Sequence, residues 1–351
     1  MKCCENCFSS KALQSIIRRL PKRKGNCSFC KSRSVPTFSP KKLSEQFQNL
    51  ILSYAIAKKD EGGKRLSEQL RLDFPNEIFS SKMQNTQGFL NEISKGTPEL
   101  DRRIYTHPVI LAHKRGATNA LKSRILNTTW EKFAIELKEK NRFHIENNLN
   151  LPELARLLER YTEFHAKGEI FYRARISTNQ LLSKKEMLNP PRQLAKAGRA
   201  NPQGISYLYV SNDLDTTLYE TRATLFDFVS IGEFAATREL KVINLNSREY
   251  DPILLADEGS LDDYMMHAEF MEKLGRELSK PVRRADNELD YLPTQYLSEF
   301  IKSLGYDGIK YTSSLNPGGF NIAVFTPNVL KISKVFLHEV KEIKYVSEEI
   351  E

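Results

Sequence analysis

At 351 residues the chain exceeds one typical domain, and with 40% hydrophobic and 28% charged residues it can bury a core. Residues 1–45 hold eleven Lys/Arg against two acidic residues, so the whole formal charge of +9 sits at one end and the remainder balances. The start, MKCCENCFSS, has no apolar h-region, and the longest apolar stretch, near Leu50–Ala57, is broken by Ser53 and too short to span a bilayer. A cytoplasmic protein with no membrane association is the expectation.

Residues 1–36 read as a small metal-stapled module. Cys4-x2-Cys7 and Cys27-x2-Cys30 are two thiolate pairs separated by nineteen residues. That spacing suits a structural, tetrahedral Zn, because each pair folds into a tight knuckle and four soft ligands close the shell. Cys3 is the spare and could replace Cys4. A helix is predicted over Ala12–Leu20, ending before Pro21. So small a module would draw its folding energy from the metal. Its basic surface admits two readings, a non-specific nucleic-acid-binding patch or a solvated face.

Residues 37–41 form a linker, and from Lys42 to about Phe143 the apolar spacing is helical. Phe47, Leu50, Ile51, Tyr54 and Ala55 recur at helix spacing, as do Trp130, Phe133, Ala134 and Leu137. Thr128-Thr129-Trp130-Glu131 offers a capping box. A further helix is predicted over Leu151–His165, capped near Asn150 and stopped by Gly168. Residues 37–168 are therefore expected to be an all-α domain. Arg102-x4-His107 and Arg160-x4-His165 resemble the short Arg-x4-6-His motif of HEPN ribonucleases, but a motif this short, in two copies, is ascribed to chance or packing and no RNase activity is assigned.

From Glu169 the texture changes to strands, over Ile170–Ile176, Ile205–Val210, Phe228–Phe234, Leu240–Leu245, Asp307–Thr312, Asn321–Phe325 and Leu330–Phe336. Helices are predicted over Leu214–Thr224, Leu261–Leu278 and Thr294–Ser303. Residues 169–351 thus read as an α+β domain. In its first strand Arg173 and Arg175 share a face. Two guanidiniums so placed suit a pyrophosphate, or else form an exposed basic strand face.

The C-terminal half resembles the RES domain family, named for its Arg, Glu and Ser residues. Arg173 matches the family's strand arginine, and Arg199 in GRANPQG its loop arginine. Tyr209 follows Arg199 by ten residues and Glu220 follows Tyr209 by eleven. Ser313 stands eight before Asn321 in SSLNPGGFNIAVF, as the family serine stands before its asparagine; Ser314 is the alternative register. The chain departs from the pattern at Ala200, where an aromatic is frequent, and in the long inserts between Glu220 and Ser313. The N-terminal cysteines and helices resemble the HEPN-related extension of longer RES proteins.

The resemblance implies an ADP-ribosyltransferase-like fold and NAD as substrate, split with phosphate or water as acceptor or used to transfer ADP-ribose to a macromolecule. It implies a toxin or defence effector, restrained by an antitoxin or gated by a sensor, either of which would be a protein partner. Under it, Arg173, Glu220 and Ser313 are the catalytic set, while Arg175, Arg199, Tyr209 and Asn321 bind substrate. The residue chemistry agrees. Breaking the nicotinamide–ribose bond builds positive charge on the ribose, which a carboxylate such as Glu220 stabilises. Nicotinamide leaves from a cationic state, so no general acid is required. Two further readings stay open: ADP-ribosylation of a protein or nucleic acid, and a nucleic-acid-binding regulator acting through the basic zinc module. Homo-oligomerisation is left open as well.

Overall fold

The structure is a computed structural model, and it describes residues 1–112, 125, 129–145, 149–246, 251–259, 261–281 and 287–343. The chain folds as two compact units, Met1–Ser123 with Arg248–Ala268, and Arg124–Ser247 with Glu269–Glu351. This division differs from the three domains expected from the sequence: residues 124–168 belong with the C-terminal unit, and an excursion from the C-terminal half completes the N-terminal one.

In the first unit the cysteine-rich segment does not stand alone. A three-stranded antiparallel sheet (Cys3–Cys4, Val35–Phe38, Arg23–Gly25) and the helix Lys11–Arg19 share one core with the residues that follow. Phe89 is its hub, with the rings of Phe8, Phe29, Phe47 and Phe79 at 5.1–6.0 Å from its own. Burying aromatic rings in such a cluster stabilises by roughly 1.5–3 kcal/mol each, so the segment has a hydrophobic core as well as its thiols. Asp251 ties the excursion in. Its Oδ2 accepts from Ala12 N (2.9 Å) and Ser10 Oγ (2.8 Å), while Oδ1 caps the helix Pro252–Asp257 through Ile253 N.

The all-α expectation for residues 42–123 is corrected. Helices Ser44–Leu52, Leu66–Asp73 and Thr86–Ile93 are present, but Tyr54–Ile56, Pro108–Leu111 and Lys64–Arg65 form a second antiparallel sheet. Tyr54 and Ala55 continued the helical spacing only because strand and helix both bury Tyr54. Thr129 caps the helix Trp130–Ile135, accepting from Lys132 N at 3.3 Å; Thr128 lies outside the described residues.

The second unit is built on eight strands: β1 (Thr162–His165), β2 (Ile170–Ser177), β3 (Leu208–Ser211), β4 (Phe228–Ala236), β5 (Leu240–Asn244), β6 (Gly308–Thr312), β7 (Phe320–Val324) and β8 (Leu330–Glu339). Helices accompanying them include α1 (Leu151–Arg160), α2 (Leu214–Thr221), α3 (Leu261–Ser279), whose C-terminal portion belongs to this unit, and α4 (Leu292–Ser303). The sheet order is β8-β4-β2-β3-β7-β6-β5-β1, antiparallel except for β5 and β6. Alternating residues of the strands, among them Phe171, Leu208, Val210, Phe234, Ile322 and Val324, fill one core.

Helix α1 stops at Arg160, short of the predicted His165. The next strand, TEFH, forms edge strand β1 against β5, and Gly168 (φ +86°) makes the turn into β2. The Arg160–His165 pair therefore spans a helix end and a strand. Arg102–Tyr105 is a single 3-10 turn with His107 beyond it, so neither Arg–His pair lies on one helix.

The sheet has one weak seam. β2 and β3 share only the pair Tyr172↔Ser211, whereas β2 and β4 are paired along their lengths. Beyond that pair the strands diverge. An opening between strands exposes backbone groups and side chains that a continuous ladder would cover.

Candidate active site

Arg173 follows the last shared pair of β2 and β3, and its Nη1 reaches across the seam to the Tyr209 carbonyl (3.4 Å). That carbonyl gains a partner there, but the guanidinium does not gain enough. It is largely buried, its Nε has no hydrogen-bond partner among the described residues, and burial, with repulsion from Arg175, holds its pKa down at about 10. A desolvated cation of this kind is a site for an anion. Arg175 is placed differently. It is exposed and its Nη1 donates to the Glu186 carbonyl, so it does not line the cleft.

Opposite the seam, α2 carries Glu220 in its last turn. Asp213 caps the helix, accepting from Thr216 N (2.7 Å), and Arg222 in the left-handed region (φ +53°) ends it two residues after the glutamate. The loop after β6 folds back on the same helix. Asn316 Nδ2 donates to Thr216 Oγ1 (2.8 Å), and Gly319 is required there, since a Cβ would lie 2.2 Å from that oxygen. This docking brings Ser313 Oγ to Glu220 Oε1 at 2.7 Å, while Asn321 Nδ2 from β7 donates to the same oxygen at 2.7 Å. Ser211 Oγ in turn donates to Asn321 Oδ1 (2.7 Å) and sets which way that amide faces. Both donors fall on Oε1; Oε2 accepts from none of the described residues.

The GRANPQG loop is held by α4. Gln295 Nε2 donates to the carbonyls of Gly198 (2.9 Å) and Asn201 (3.1 Å), and Thr294 Oγ1 to that of Arg199. Asn201 pins the loop internally, its Nδ2 reaching the Lys196, Pro202 and Ile205 carbonyls and its Oδ1 accepting from Tyr209 OH (2.6 Å). Gly198 is packed too closely for a side chain, as a Cβ would meet Asn201 Oδ1 at 2.6 Å and Tyr209 OH at 3.0 Å. Burial raises the Tyr209 pKa above its ordinary value, so it stays a neutral phenol. Arg199 projects from this loop with its guanidinium over the Tyr291 ring (4.9 Å) and Nη2 donating to the Pro281 carbonyl (3.1 Å).

These elements surround a cleft of about 620 Å³, whose lining includes Arg173, Arg199, Tyr209, Glu220, Ser314 and Asn321. Of the residues singled out in the sequence, Arg173, Arg199, Tyr209, Glu220 and Asn321 meet there, and Ser313 stands behind Glu220. Ser314 faces the cleft. Tyr311 and Ser211, not singled out, also line it. Their signal lay in register: Tyr311, Asn321 and Ser211 are paired in one row across β6, β7 and β3. A desolvated guanidinium, an oriented carboxylate and aromatic rings in one cleft can hold an anionic ligand while stabilising positive charge beside the carboxylate.

In the first unit, Cys4, Cys7, Cys27 and Cys30 are buried with their sulfurs within 4.8 Å of one another, 3.4 Å for Cys4–Cys30 and 3.5 Å for Cys7–Cys27. A tetrahedral shell with metal–sulfur bonds of ~2.3 Å separates sulfurs by about 3.8 Å, so the cluster fits one metal ion. Burial pushes the Cys4 thiol up to about 12, and a cation among the sulfurs would supply the charge that burial withholds. Cys3 is buried beside them and directs its Sγ to the Cys4 carbonyl (3.7 Å).

The RES domain family model matches residues 170–346, half of the chain and the whole of this cleft, and the chain belongs to that family. No curated protein matches the chain. Among solved structures, a chain of "Crystal structure of the M.tuberculosis MbcT-MbcA toxin-antitoxin complex" is similar at 13% identity, covering 55% of this chain and 94% of that one with a TM-score of 0.30. Among the described residues no helix is long and apolar enough to cross a membrane.

Proposed function

We propose that the Glu220 cleft breaks the nicotinamide–ribose bond of NAD, and that the protein is an NAD-degrading toxin or defence effector. Glu220 carries the reading: a carboxylate oriented by Ser313 and Asn321, in the same cleft as Arg173, whose Nε has no partner among the described residues. Membership of the RES family supports it.

Arg173 takes the pyrophosphate, whose charge relieves a guanidinium already stripped of water. Arg199 adds a second cation, and Tyr209, its hydroxyl tied to Asn201, offers its ring to the nicotinamide. Glu220 accepts from the ribose hydroxyls through Oε2 and lies beside the developing oxocarbenium charge. The electron pair of the breaking C1′–N bond passes into the pyridinium ring, so nicotinamide leaves neutral. An oxygen of water or inorganic phosphate bonds to C1′ from the open face and its proton is released to solvent, giving ADP-ribose or its 1-phosphate ester. In this scheme Ser313 and Asn321 act through Glu220 and hold it, in place of the direct substrate contacts expected from the sequence. The four-cysteine cluster holds a structural Zn that ties the N-terminal segment to its core.

Product analysis of NAD incubated with the protein, with and without phosphate, tests the proposal. Nicotinamide is released by the wild type, and Glu220→Gln lowers the rate at least ~100-fold, the scale of losing a transition-state electrostatic contact. NAD left intact by the wild type refutes the reading. With labelled NAD, label retained on macromolecules in place of free product selects ADP-ribosyl transfer.

A further inference from the structure

A second cavity, of about 590 Å³, meets the Glu220 cleft at Arg199, Lys280 and Pro281, which line both. Trp130, Ala134 and Ile135, which do not line the Glu220 cleft, form another part of its wall. These residues precede the family match, which starts at residue 170, so this wall belongs to the chain and not to the RES module. Resting on the cleavage reading above, we infer that this cavity takes the adenosine half of the dinucleotide, with the adenine stacked on Trp130.

Three observations carry this. The first is order along the ligand. With the nicotinamide ribose at Glu220 and the pyrophosphate between Arg173 and Arg199, the remaining nucleoside falls on the far side of Arg199, where the second cavity opens. The second is charge. Lys138 pairs with Asp290 (2.5 Å), Lys280 with Glu277 (2.5 Å), and Lys273 with Glu277 (3.4 Å) and Glu131 (3.5 Å). Each of these lysines is matched by a carboxylate, so the cavity makes little demand for an anion of its own. It suits a neutral base and sugar whose amino and hydroxyl protons need acceptors, which the carboxylates supply. The third is the platform. The Trp130 indole is held by Phe133 (5.7 Å, edge-on) and Phe270 (6.0 Å), a rigid aromatic surface at the cavity wall.

Trp130 is the single tryptophan of the chain, so tryptophan emission, excited selectively over tyrosine, reports on this cavity. Titration of the wild type with AMP and with ADP-ribose quenches that emission saturably, and nicotinamide mononucleotide does not. In turnover, Trp130→Ala raises KM for NAD roughly tenfold at unchanged kcat, the low end of base–aromatic stacking, and Trp130→Phe restores most of it. Cleavage of nicotinamide mononucleotide, which lacks the adenosine, is the same in wild type and Trp130→Ala. NAD cleaved without quenching by AMP or ADP-ribose overturns this assignment alone, as does quenching by the nicotinamide mononucleotide. NAD left intact while AMP quenches keeps the nucleoside pocket and overturns the cleavage.

Discussion

Replacing Arg173 by Gln is expected to stabilise the ligand-free protein while removing its affinity for the dinucleotide. Burial first, and Arg175 second, hold the Arg173 guanidinium at about 10, more than two units below an ordinary one. Each tenfold change in ionisation is ~1.4 kcal/mol, so carrying that proton at neutral pH costs the fold on the order of 3 kcal/mol. The compensation is small: one long hydrogen bond to the Tyr209 carbonyl, worth about 1 kcal/mol or less. Glutamine has no charge to desolvate, which leaves a net gain of roughly 1–2 kcal/mol. The sign with pH follows from a folded pKa lying below the unfolded one. The penalty is full below about pH 10 and fades as pH rises from there toward the range of a free guanidinium, so the two proteins should converge in that window. Urea unfolding of both at pH 7 and at pH 10.5 measures the gap, and added inorganic pyrophosphate should stabilise the wild type alone. A variant less stable than wild type at pH 7 without ligand would refute the view of Arg173 as a strained cation held for an anion.

Removing either holder of Glu220, by Ser313→Ala or Asn321→Ala, should slow nicotinamide release about tenfold, since a hydrogen bond to a charged group is worth ~1.5–3 kcal/mol. The double variant should lose less than the product of the two if they act on one oxygen, which a double-mutant cycle on kcat/KM reads directly. Gly198→Ala drives a methyl into Asn201 Oδ1 and the Tyr209 hydroxyl, so it should destabilise by about 1–3 kcal/mol in thermal unfolding and lower activity together with stability. Metal analysis should find one Zn per chain in the wild type and none in Cys27→Ser. Chelation should lower the melting temperature of the wild type and leave that of Cys27→Ser unmoved.

Most of the sheet was legible because its strands are apolar runs rich in β-branched and aromatic residues, and the predicted spans for β2, β4, β5, β6, β7 and β8 fall on the observed ones. What failed did so for physical reasons. A strand as short as TEFH cannot display a period of two, so β1 was absorbed into the helix before it. Tyr54–Ile56 prolonged a helical pattern because a short strand that buries its first residue satisfies either period. At the site, spacing is a statement about which residues come near one another and not about which atoms meet. It brought Ser313 and Asn321 to Glu220, yet only the loop turned back by Asn316 and Gly319, with Asn321 on β7, shows that each gives a hydrogen bond to the same carboxylate oxygen. Arg175 errs in the opposite sense. It shares a strand face with Arg173, but the short helix Lys184–Met187 offers a carbonyl that captures its guanidinium, and no pattern within β2 encodes a partner eleven residues away. The same logic explains Trp130. Its helical spacing marked a helix and nothing more, and two rings do pack on it, but its role at the cavity depends on Arg199, Lys280 and Pro281, which reach it only through the tertiary fold.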